Sequence, residues 1–146
     1  MSTKEAQEKI VANMKKWQKI EKASIVSTSK IQDATDNPII GLVAEIVQRD
    51  SQMHKRVQEL IQDSLESKAL TLNPDELGEV WNLVEKHIAI EKDTIALAKE
   101  SLDAIGKNKG MAVQAYLLEY LLIDEQKHDT ILSKLESIKK SMYPYG

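Results

Sequence analysis

Eight side chains stand out, because the apolar residues around them are spaced to turn them inward. At about 100° per residue along a helix, Glu21 falls within the stripe Ala6, Ile10, Met14, Trp17, Ile20, Ser24 and Ile31. Asp50 lies at the centre of a second stripe, Ile39, Val43, Ile46, Met53, Val57, Leu60 and Ile61, with His54 near its edge. Glu91 centres a third stripe and has His87 beside it; His128 centres a fourth, flanked by Asp124 and Glu125. All three histidines of the chain are in this set. Placing an ionised carboxylate in a core costs several kcal/mol unless something pairs with it. Arg49, Arg56 and the lysines map largely to outer faces or their margins, so the partner that remains is a cation. Carboxylate oxygen combined with imidazole nitrogen suits iron, manganese or zinc, whereas calcium takes oxygen alone. Plainer readings stand beside this one. Glu125 and His128 could form an internal hydrogen-bonded pair, Asp50 could pair with His54 four residues on, Glu21 could be half-exposed and solvated, and His87 could be satisfied locally.

The elements that must position these groups are helices. Ser2 and Glu5 have the spacing of a capping box, and the chain stays helix-compatible to about Ile31. Residues 32–37 break that helix, and Pro38 opens a second that runs to about Lys68. Asn73-Pro74-Asp75-Glu76 supplies a cap, a proline for the first helical position and acids for the helix dipole. The third helix then extends to about Ile105. A turn bounded by Gly106 and Gly110 leads into a fourth helix from Met111 to about Lys140, and 141–146 form a frayed tail. The expected fold is all-α: a single-domain, long antiparallel four-helix bundle with helices over 3–31, 38–68, 74–105 and 111–140. Trp17, Met14 and Met53 read as core. At a rise of about 1.5 Å per residue, His54, the His87–Glu91 midpoint and Glu125–His128 each lie roughly 23–27 Å into their helices, and Glu21 lies roughly 15–20 Å from the end of its own, which places all of them in one layer near the middle of the bundle.

With these residues in view, the chain resembles the ferritin-like di-metal carboxylate superfamily. The closest segment is YLLIDEQKHDTILSKLE (120–136), and HIAIEKDTIALAKE (87–100) resembles the third helix of rubrerythrin relatives. That family draws a carboxylate from each of two helices and Glu-x-x-His from each of the other two. The resemblance implies Glu21 and Glu91 as single carboxylates, Glu125 as a bridging one, and His54 and His128 as terminal imidazoles. It implies iron or manganese: two ions if the site is complete, one or none if it is degenerate. The departure is Ser51, which stands where the family has the glutamate of its second Glu-x-x-His, with Asp50 one residue earlier. His87 is an extra imidazole, either a ligand or a group oriented by Glu91.

The chain's 146 residues and 16.5 kDa suffice for one core, without disulfides or structural zinc. A net charge of -3 gives no electrostatic reason to seek nucleic acid or anionic lipid. With no cysteine, there is no thiol nucleophile and no iron–sulfur centre, so redox turnover needs an outside reductant. The opening MSTKEAQEKI lacks a secretory apolar stretch, and no segment matches the roughly 20 apolar residues of a membrane span, so a cytoplasmic protein is expected. The functional expectation is a metal-binding protein with oxygen or peroxide chemistry as an uncertain activity. The alternative is a non-enzymatic helical interaction module with a degenerate site, for which Ser51 speaks. About five residues join the second and third helices, and they span under 20 Å against a helix of roughly 45 Å, too short for a crossover along the bundle. A homodimer is therefore expected, with exchange of helix pairs between chains as one form of it.

Overall fold

The helix ends that can be followed lie where a side chain or a turn satisfies the backbone. The hydroxyl of Ser2 accepts the Glu5 N–H at 3.1 Å and starts α1, Thr3–Asp33. The Ala34 N–H closes that helix on the carbonyls of Lys30 and Ile31. The Asn37 carboxamide then accepts the N–H groups of Ile39 and Ile40, at 2.9 and 3.2 Å, and α2 runs over Pro38–Glu66 with proline in its first turn. α3 spans Pro74–Ile105 and stops at Gly106, whose φ of 55° is a left-handed value that costs other residues about 1–2 kcal/mol. A 3-10 turn at Lys109–Met111, capped by Asn108, leads into α4, Ala112–Met142. These bounds all lie within about two residues of those expected, and the 3-10 turn takes the place of the first residue expected of α4.

The computed structural model describes residues 1–72 and 74–142, except for the side chains at 74, 139, 141 and 142. The expected cap at Asn73 and most of the expected tail, 143–146, lie outside the described residues. Among the described residues the chain is all-α, with four α-helices and no strand. No helix there is long and apolar enough to cross a membrane.

The chain forms two compact units, Met1–Thr71 and Leu72–Gly146. The first is a hairpin of α1 and α2, and the second a hairpin of α3 and α4. Within the first, early α1 meets late α2. Lys15 pairs with Glu66 at 3.0 Å, and Gln18 donates to Gln62 at 2.7 Å. Nearer the turn, Gln48 donates to the Ser29 hydroxyl at 2.7 Å and the Ile25 carbonyl at 3.1 Å. The Gln62 amide, and then Lys15, hold the Glu66 carboxyl below its ordinary value.

Burial within the hairpins has a seven-residue period. The buried positions are Met14, Glu21 and Thr28 in α1, and Ala44, Ser51 and Gln58 in α2. In α3 they are Leu77, Glu91 and Ala98, together with Trp81. Two helices in contact cover only the narrow seam that recurs every 3.5 residues, not the wider stripe of a core-facing helix. Apolar residues beside the seam are consequently exposed. This corrects the expected inward stripes: Trp17 and Met53, read as core, are 49% and 53% exposed, and Ile10, Ile20, Ile31, Val57 and Leu60 are exposed as well, while Met14 is buried as expected.

Candidate metal centre

The heptad seam of the second hairpin carries Glu91, which is 5% exposed. From α4, Glu125 and His128, three residues apart on one face of the helix, reach the same point. One ligand atom from each of Glu91, Glu125 and His128 lies within 4.8 Å of the others, close enough for one ion to touch all three. His128 offers Nδ1, 3.4 Å from Glu91 Oε1 and 4.0 Å from Glu125 Oε2. Its other nitrogen, Nε2, lies 3.4 Å from Asp124 Oδ2, one turn back on the same helix. A carboxylate on the far side of an imidazole fixes the ring's orientation and raises its basicity, as is usual for metal-binding histidine. Lys127 in turn pairs with Asp124 Oδ1 at 2.8 Å.

Two further groups hold the carboxylates. His87 Nε2 meets Glu91 Oε1 at 2.8 Å from one turn earlier on α3. The Thr94 hydroxyl is 2.7 Å from the Glu91 carbonyl and 2.8 Å from Glu125 Oε2, so its one proton ties α3 to α4 at this level. Glu91 Oε2 is left buried without a hydrogen-bond partner. A buried, unpartnered carboxylate oxygen costs more than a typical hydrogen bond gains, and a cation among these three ligands would satisfy it. Beyond Thr94 and Glu125 a hollow of about 270 Å³ opens, lined by Leu97, Ala98, Leu118 and Leu121.

The Glu91 carboxyl sits below its ordinary value of 4.5. The hydrogen bond with Glu125 is the largest cause; burial opposes it, and the His87 hydrogen bond and the charges of His128 and His87 add to it. The sign follows from linkage. A carboxyl depressed in the fold contributes stability above its unfolded value and loses it as pH falls through the folded one. The thermal midpoint of the metal-free protein should therefore decline as pH drops below about 4.5, and Glu91→Gln should decline less steeply. Equal slopes in a calorimetric pH series would contradict this.

The remaining expected ligands lie in the first hairpin. Glu21 is 6% exposed, and its Oε2 is 3.7 Å from His54 Nδ1. Asp50 is half-buried, and among the described residues the expected pair with His54 does not form. Thr94 has no place in the expected set. Its signal in the sequence is a hydroxyl three residues after a buried glutamate, a spacing that puts both on one helix face. Compared with protein-family models, curated proteins and solved structures, the chain finds no match in any of the three.

Proposed function

We propose that the protein binds a transition-metal ion, iron or manganese, through Glu91, Glu125 and His128. The observation that carries this reading is the buried, unpartnered Oε2 of Glu91 inside a group of three potential ligands. Mixed carboxylate and imidazole donors favour these ions over calcium or magnesium. In this reading His87 and Asp124 orient Glu91 and His128, and Thr94 orients Glu125. The ferritin-like resemblance belongs to the same proposal, as does a four-helix bundle as the assembled state. A bound iron or manganese ion would supply redox exchange with oxygen or peroxide, a step that rests on the resemblance alone, with electrons from an external donor. The residues of the chain hold and orient the ligands beside the hollow lined by Leu97, Ala98, Leu118 and Leu121.

Binding to the folded state alone raises stability by mass action, about 2.7 kcal/mol when the free ion is at one hundred times its dissociation constant. For a chain of this size that is a rise of roughly 5–10 °C in the thermal midpoint. Manganese(II) or iron(II) should produce it, and magnesium should not. An unchanged midpoint with all three ions would contradict the reading.

The homodimer is part of the proposal. What supports it is the row of exposed apolar side chains on each hairpin: Trp17, Val47, Val57 and Leu60 on the first, Leu83, Ile90, Leu97 and Ile131 on the second. Single exposed apolar residues are ordinary, but a repeated series along paired helices marks an association surface. Light scattering on a size-exclusion column should give about 33 kDa, twice the chain mass of 16.5 kDa. A uniform species at the chain mass would remove this part of the proposal.

A further inference from the structure

The two hairpins repeat one another around the candidate site. Residues 20–25 read IEKASI and residues 90–95 read IEKDTI; residues 50–54 read DSQMH and residues 124–128 read DEQKH. The likeness extends to contacts. Glu21 and Glu91 are both buried on the first helix of their hairpin, and each leaves Oε2 buried without a hydrogen-bond partner. His54 Nδ1 lies 3.7 Å from the Glu21 carboxylate, and His128 Nδ1 lies 3.4 Å from the Glu91 carboxylate. Ser24 and Thr94 each follow the buried glutamate by three residues and bond across the hairpin at 2.8 Å. Ser24 meets the Ser51 hydroxyl, and Thr94 meets Glu125. Two short sequence matches and three matched contacts therefore align the hairpins residue by residue, and the alignment sets Ser51 opposite Glu125.

We infer that the first hairpin carries a second divalent-cation site, built from Glu21 and His54, which Ser51 leaves one carboxylate short. The inference rests on the reading of Glu91, Glu125 and His128 as a cation site, because the second hairpin supplies the template. Two protein ligands and a neutral hydroxyl hold a divalent ion far less firmly than two carboxylates and an imidazole, since the hydroxyl brings no negative charge to offset dehydration of the ion. The chain then binds cations unequally: tightly at the second hairpin, and at least about 100-fold more weakly at the first, going by the 10–100-fold that loss of a mere supporting contact costs. One side chain at position 51 sets the difference. Glu21 Oε2 marks the site: it is kept out of water and makes no hydrogen bond, and the His54 imidazole faces it at 3.7 Å.

The test is a calorimetric titration of the full chain with manganese(II). The wild type should take up one tight equivalent. Ser51→Glu should take up two of comparable affinity, and adding His54→Ala should remove only the new one. Ser51 is 6% exposed, so a glutamate there must displace its neighbour. The double variant Ser24→Thr/Ser51→Glu reproduces the Thr94–Glu125 pair and gives the new carboxylate its hydroxyl partner. If either variant loses helicity without manganese, the inference requires the ion to restore it; helix that stays lost overturns the inference. A folded variant that binds one equivalent, as the wild type does, also overturns it and leaves the second hairpin's site standing. No manganese on either protein defeats the reading of the second hairpin, and the inference falls with it.

Discussion

Glu91→Gln is expected to lower affinity for manganese(II) or iron(II) by more than about 100-fold while leaving the helical content unchanged. Glutamine keeps the shape of the side chain and can still meet His87 through its amide oxygen. It brings no charge, however, and its NH₂ group would point a donor at the ion. Supporting contacts around metal ligands are worth about 10–100-fold in affinity, and a buried anionic ligand should exceed them. Equilibrium titration followed by circular dichroism checks both halves. Affinity within about tenfold of wild type, with the helices intact, would mean that Glu91 is not a ligand.

The histidines should separate by role. His128→Ala removes the imidazole whose Nδ1 faces both carboxylates and should abolish measurable binding, a loss beyond about 100-fold. His87→Ala removes a group that touches only Glu91 Oε1, and should cost about 10–100-fold, as should Thr94→Val. His87→Gln retains a donor for Glu91 and should recover part of the loss, which a purely structural role at an exposed position does not predict. Equal losses at His87 and His128 would make both of them ligands and change the coordination set.

How much of this the sequence revealed depends on which force decided each feature. The helix ends were legible because their chemistry is local: Ser2, Asn37 with Pro38, and Gly106 each act within one turn of chain. The inward direction of Glu21 and Glu91 was legible for a related reason, since apolar spacing fixes a helix face whatever it packs against. Trp17 and Met53 were misread because a stripe defines a face, while the seam of a two-helix hairpin is narrower than that face. Asp50 looked better aimed than Ser51, yet the heptad seam passes through 44, 51 and 58 and leaves Asp50 to one side. A rotation of 100° between adjacent residues is resolved only by the partner helix. The match between IEKASI and IEKDTI lies in the sequence from the start, but its meaning emerges once Ser24–Ser51 and Thr94–Glu125 occupy the same place in each hairpin.

The most direct test of the metal centre is the metal content of the protein itself. Purified from medium supplemented with iron and manganese and measured by mass spectrometry, each chain should carry about one equivalent of one of these metals, or reach that level on anaerobic reconstitution. Less than about a tenth of an equivalent of any transition metal, unchanged by reconstitution, would contradict a metal centre at Glu91, Glu125 and His128.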